Sequence, residues 1–129
     1  MVSFIPPIAL PVRVLVVEDE PLIRMLAVDT LADAGFDVLE SPHADHALDT
    51  LVARARNVRI LFSDIHMPGT MTGLTLAKFA KRRWPWISVL LTSGKMTPAI
   101  HQMPHGSRFV AKPYSIGSVL THVQELAVR

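Results

Sequence analysis

Short, mostly apolar runs at 13–17, 58–63 and 87–91 end on polar or acidic residues, while longer stretches between them repeat their apolar positions every three or four residues. Runs this short, closed by turn residues, read as strands covered on both faces, and the periodic stretches read as helices. In chain order the pattern predicts strand 13–17, helix 21–34, strand 36–40, helix 44–54, strand 58–63, helix 74–83, strand 87–91, strand 108–111 and a last helix after Ser115. Pro21 stands at a first helical position, where its missing N–H costs nothing, and Gly35 follows the helix as a stop. Pro68-Gly69 would break a helix, which assigns the run before it to a strand. Ser115 caps the last helix. The segment 95–106 holds Pro98 and Pro104 and supports only a shortened or irregular helix.

The periodic stretches also say which face is buried. In the first helix Ile23, Ala27, Thr30, Leu31 and Ala34 share one stripe, which leaves Leu22, Met25 and Val28 over. A broad core face is the preferred account of that surplus, with a docking surface for a partner helix as the alternative. The second helix turns Ala47, Leu48, Leu51 and Val52 inward. The last aligns Ile116, Val119, Leu120, Val123 and Leu126. Alternating strands and helices imply a doubly wound α/β domain, a parallel sheet with helices on both faces and right-handed crossovers.

The chain has 129 residues, enough for one domain with a real core. That domain is expected over 12–129, after an N-terminal extension at 1–11. The extension is apolar, lacks Lys and Arg and is interrupted by Pro6, Pro7 and Pro11, so it does not read as a signal peptide. Hydrophobic residues make up 50% of the chain and charged ones 19%, which excludes disorder. A formal net charge of +2 gives no reason to expect nucleic acid, and the basic run Lys78, Lys81, Arg82 and Arg83 reads as a solvated helix end. There is no cysteine, hence neither a disulfide nor a thiolate metal site. No apolar run is long enough to span a bilayer, so no membrane contact is expected and the cytoplasm is the default location.

The candidate chemistry sits at strand ends. The first strand ends on Glu18-Asp19-Glu20 and the third on Asp64. Ligands of open α/β sheets bind outside the carboxyl ends of the strands, so these carboxylates would converge into a site for a hard cation with oxygen ligands. The histidines do not suggest a transition-metal site, because Pro104 separates His101 from His105 and the His66 side chain is expected to be solvated on its loop. Tyr114 is expected to be a packing residue. No Gly-rich phosphate loop follows the first strand, which argues against a nucleotide-dependent enzyme.

Four separated pieces stand in order at strand ends: Glu18-Asp19, then Asp64-Ile-His-Met-Pro68-Gly69, then a hydroxyl after the fourth strand, then Lys112-Pro113. In them the chain resembles a response-regulator receiver domain of two-component phosphorelays, of the single-domain type, over about 12–127. The resemblance implies a flavodoxin-like five-stranded sheet of order 2-1-3-4-5. It makes Asp64 the nucleophile that takes a phosphoryl group from the phosphohistidine of a histidine kinase or histidine phosphotransfer protein. Mg²⁺ would be bound directly by Asp19 and Asp64, through water by Glu18, and by the main-chain carbonyl of His66. Lys112 would meet the phosphoryl oxygens, aimed inward by a cis bond to Pro113. Ser93, rather than Thr92, aligns with the switch hydroxyl and Phe109 with the switch aromatic. Such a domain catalyses only its own phosphorylation and slow dephosphorylation, and it acts through a downstream protein target without direct nucleic-acid contact. The alternative is a receiver-like adaptor that binds proteins unphosphorylated.

Overall fold

Each strand of a parallel sheet needs both faces covered, and this chain alternates its apolar residues between two separate cores to meet that need. The computed structural model describes residues 11–95 and 97–128, so the expected extension lies, apart from Pro11, outside the described residues. β1 (Arg13–Val17), β2 (Asp37–Ser41), β3 (Ile60–Asp64), β4 (Ser88–Ser93) and β5 (Arg108–Ala111) form one sheet in the expected order β2-β1-β3-β4-β5, with every pairing parallel. Val14, Val16, Ile60 and Phe62 point to one face, where α1 (Pro21–Asp33) and α4 (Ile116–Ala127) supply Ala27, Leu31, Val119 and Val123. Leu15, Val17 and Leu61 point to the other, where α2 (Ala44–Arg54) and α3 (Gly73–Arg83) supply Leu51, Leu76 and Ala77. This is the two-residue period of a strand, read out on two faces.

The element ends carry the expected local chemistry. Pro21 opens α1, Gly35 follows it at φ +98°, and the Ser115 hydroxyl accepts the N–H of Ser118 at the start of α4. Between β4 and β5, where a shortened helix was expected, the one helical piece among the described residues is the 3₁₀ turn Ile100–Gln102, set between Pro98 and Pro104. Neither proline can donate an N–H to a helix, which is why nothing longer forms.

Several packing expectations are corrected. Leu22, Met25 and Leu26 are exposed, at 75%, 54% and 53%, so the broad core face does not exist there, although Val28 does pack against the α1/α4 core. Positions 22, 25 and 26 lie one turn apart on the side of α1 turned away from the sheet. Ala34 is likewise exposed. In α2 the inward positions are Ala44, Ala47 and Leu51, with Leu48 at the margin, and Val52, one step round the helix, is exposed. Lys81 is not simply solvated: its Nζ donates to the carbonyls of Pro85 and Ile87 at 2.8 and 2.9 Å, closing the connection from α3 to β4. Among the described residues no helix is long and apolar enough to cross a membrane.

Candidate functional site

Main-chain pairing carries the chemically interesting residues to one edge. Val17 of β1 lies in register with Ser63 of β3, so Glu18 and Asp64 leave the sheet side by side. The Glu18 N–H donates to the Ser41 carbonyl, the Ile65 N–H to that of Thr92, and the Lys112 N–H to that of Ser93, at 2.9–3.1 Å. Adjacent strand ends are thereby locked, and Glu18, Asp64 and Lys112 reach one point from three of them. Carboxylate oxygens of Glu18, Asp19 and Asp64 all lie within 4.8 Å of one another.

The lysine lies between two of these carboxylates. Its Nζ donates to Asp64 Oδ2 at 2.8 Å and to Glu18 Oε1 at 2.5 Å, and the Lys112-Pro113 bond is cis, as expected. The other oxygens are held by main chain: Asp64 Oδ1 accepts from His66 N at 3.3 Å, and Glu18 Oε2 from Glu20 N at 3.2 Å. Glu18 and Asp64 are buried, at 3% and 6% exposure. Burial pushes the Glu18 carboxyl above its usual range, against the opposing pull of Lys112 and the Glu20 N–H. For Lys112 burial disfavours the ammonium, but its bonds to Asp64 and Glu18 outweigh that and hold its pKa above the usual lysine value. Burial, and then the Glu18 charge, push the nearby Tyr114 phenol up to about 12.

The remaining expected residues fall around this point. Ser93 is buried beside Asp64's strand, yet its Oγ accepts the Lys95 N–H at 3.1 Å and so serves the loop. Thr92 pairs with Asp64 across β3 and β4, and its Oγ1 is buried with no hydrogen-bond partner. Phe109 is half-buried against the α2/α3 core. Tyr114 packs against Phe62, ring centroids 6.0 Å apart, in the packing role expected of it. The expectation of a solvated His66 ring is corrected: its Nε2 is buried without a hydrogen-bond partner. The loop that carries it is drawn in, because Asp45 accepts from Thr70 N and Oγ1 while the Gly73 N–H donates to Ile65.

Two residues of the site escaped the sequence reading. Arg24 Nη1 donates to the Glu18 carbonyl at 2.8 Å and its Nε to Glu40 at 3.0 Å, fastening α1 to the acidic turn. A single arginine on the apolar first turns of α1 was the available signal. Gly73 begins α3 where a Cβ would come 1.9 Å from the Asp64 carbonyl oxygen. A glycine at a helix start, where Ala would otherwise be preferred, was the corresponding signal.

The cleft over these groups has a volume of 370 Å³ and is lined by Asp19, Glu20, Asp64, His66, Lys95 and Lys112, among others. The clustered carboxylates of Glu18, Asp19 and Asp64, with the Lys112 ammonium among them, suit it to a divalent cation and, with the cation's charge present, to an anionic group above Asp64.

Comparison with known proteins agrees with this arrangement. The family described as response regulator receiver domain matches residues 14–124. The chain is 33% identical to the sensor kinase CckA of Brucella abortus over 88% of its own length and 12% of that protein's. It is also 33% identical to the nitrogen assimilation regulatory protein NtrX of Azorhizobium caulinodans, over 79% of this chain and 23% of that one. The chain therefore spans less than a quarter of either curated relative. The crystal structure of the receiver domain from the hybrid histidine kinase CckA superposes with a TM-score of 0.76 at 32% identity, covering 88% of this chain and 97% of that one.

Proposed function

This chain belongs to the family of response regulator receiver domains, and from that premise we propose that Asp64 accepts a phosphoryl group from the phosphohistidine of a histidine kinase or histidine phosphotransfer protein. The observation that carries the reading is Lys112 Nζ, hydrogen-bonded to Asp64 and Glu18 at the mouth of a three-carboxylate cleft. A structural ion pair has no need of a second carboxylate on one lysine, nor of Asp19 close beside both. A phosphoryl-accepting site needs both a cation site and a mobile point charge.

The donor set fits Mg²⁺, which takes one or two carboxylates and keeps several waters. Asp19 and Asp64 would hold it, with the His66 carbonyl, and Glu18 would act through water, as the family resemblance implies. When bound, the ion neutralises charge that gathers on the phosphoryl oxygens in a loose transition state.

In the transfer itself, an Asp64 carboxylate oxygen forms a bond to phosphorus while the P–N bond of the donor breaks. The electron pair returns to the imidazole, which leaves neutral because its other nitrogen carries a proton. The phosphoryl group carries about −1.5 to −2 charge at neutral pH, standing farther out from the strand end in place of the single charge of the carboxylate. Lys112 follows that charge, exchanging a carboxylate for a phosphoryl oxygen. Ser93 has a hydroxyl hydrogen to donate to the same group, and turning toward it would pull on the bond its Oγ accepts from the Lys95 N–H, so phosphorylation would loosen the loop after β4 and alter the surface beside Phe109. A downstream protein reads that surface.

The donor's approach is supported by the exposed side of α1. Leu22, Met25 and Leu26 lie beside a 390 Å³ apolar groove bordered by Ile23, Leu26, Gly94, Lys112, Pro113 and Tyr114, so a partner seated there would stand next to the acidic cleft.

The test is intact mass after incubation with acetyl phosphate and Mg²⁺. One added phosphoryl mass, lost in Asp64→Asn and under chelation, is expected. An unmodified chain, with both acetyl phosphate and a phosphohistidine donor, would instead favour the unphosphorylated adaptor.

A further inference from the structure

The end of the sheet opposite Asp64 carries charge that phosphoryl chemistry leaves unused. Residues 53–59 read Ala-Arg-Ala-Arg-Asn-Val-Arg, and because Ala55 and Val58 turn into the core, Arg54, Arg56 and Arg59 all face solvent. Arg54, Arg56 and Asn57 line a 470 Å³ depression together with Trp84, Trp86 and Val52. Arg56 and Asn57 also border a second one of 410 Å³, shared with Arg13, Asp37 and Arg59. One carboxylate stands among these four guanidinium groups, and Arg13 already holds it, Nε to Oδ2 at 2.7 Å. Among the described residues Arg54, Arg56 and Arg59 have no ion-pair partner. Trp86 donates its Nε1–H to the Ala55 carbonyl at 3.0 Å, which fixes an indole that is still 48% exposed beside them.

Three features decide what such a face accepts. The main-chain N–H groups of Val58, Arg59, Ile87 and Ser88 are all donated to carbonyls along this edge, so no amide nest remains to cradle a phosphate. Both helices that terminate here, α2 at Arg54 and α3 at Arg83, present carboxyl ends, whose partial negative charge disfavours a compact dianion. Exposed Val52 and the Trp86 ring add apolar surface next to the guanidinium forks. Singly charged carboxylates spaced along a chain suit these forks, which can each pair with one bidentately.

We propose that this edge binds an acidic peptide segment of a partner protein, its carboxylates on Arg54, Arg56 and Arg59 and one apolar side chain against Trp86. β3 separates Arg59 from Asp64 by roughly 16 Å at the usual strand rise. A partner held here leaves the phosphoacceptor cleft open to its donor.

Trp84 and Trp86 are the chain's two tryptophans, so its own fluorescence reports the site. The probe is a short peptide of aspartate and glutamate with one central leucine and no tryptophan or tyrosine, added to the full chain. A saturable change in emission is expected, weakened by added salt and about tenfold weaker in affinity when Arg54, Arg56 and Arg59 are replaced together by alanine. The same peptide with lysine in place of its acids should give no change. The triple variant keeps its thermal transition, since none of the three side chains holds a partner among the described residues. Absence of a saturable change, or one indifferent to the triple substitution, overturns the proposal. Tighter binding of a single-stranded oligonucleotide or of anionic vesicles overturns it too, in favour of that occupant.

Discussion

Gly73 rests on Asp64: a Cβ at position 73 would stand 1.9 Å from the Asp64 carbonyl oxygen and 2.8 Å from Ser63 Oγ. The first turn of α3 thus sits directly on the main chain that aims the proposed acceptor carboxylate. Gly73→Ala must push one of them away, and since the obstacle is backbone the cost is on the order of 2–3 kcal/mol. Denaturant unfolding should show that loss. Phosphoryl labelling by acetyl phosphate should fall with it even where the variant is fully folded.

Removing Lys112 leaves two buried carboxylates facing each other. Lys112→Met is expected to lower stability by about 3 kcal/mol in chelator, the scale for stripping one partner from a buried pair. Added Mg²⁺ should restore part of that, because the ion binds only the folded carboxylate cluster. Unfolding curves with and without Mg²⁺ check both effects. Equal stability of wild type and variant in chelator would contradict the geometry of the ion pair.

Ser93 separates chemistry from switching. In Ser93→Ala the acceptor is intact, so acetyl phosphate should still label Asp64, while hydrogen exchange over 94–107 should no longer respond to phosphorylation. The unphosphorylated variant should also lose about 1 kcal/mol with the Lys95 N–H bond. An exchange response as large as wild type would show that the hydroxyl is not the link.

The one tyrosine of the chain makes the site's electrostatics visible. Tyr114 should titrate near 12, above the ordinary value of 10, because burial and the Glu18 charge oppose the phenolate. A raised folded pKa means that the folded state keeps a proton the unfolded state has released. Stability from this group is therefore complete below about pH 10 and lost as pH rises toward 12. Tyrosinate absorbance follows the titration directly, and Tyr114→Phe should remove this part of the alkaline loss.

Leu22 and Met25 test the approach of the donor. Both are exposed, so replacing them by serine should cost little stability and leave acetyl phosphate labelling unchanged. Transfer from a phosphohistidine protein should slow by about tenfold, the effect of losing two apolar contacts at an interface. A rate equal to wild type would place the donor elsewhere.

Much of this was legible in the chain. The bounds of β1 and β5 are those that the apolar runs predicted, and the other strands differ by one or two residues at their ends. Glu18 and Asp64 were legible as neighbours because each closes a strand and parallel strands end at a common edge, whereas Lys112 joined them only through the family resemblance. What the linear order determined by itself was local: the two-residue and helical periods, the stops at Gly35 and Pro68-Gly69, the cap at Ser115 and the order in which acidic and basic residues arrive at strand ends. These depend on backbone dihedrals and hydrogen bonding within a few residues, so the local sequence contains them. Only the tertiary structure decided that Leu22, Met25 and Val52 stay outside, that Arg24 bonds the Glu18 carbonyl, that Gly73 must lack a side chain and that His66 Nε2 is buried. Each of these depends on how closely an element distant in sequence approaches, a distance set by the packing of the whole domain and by no local propensity.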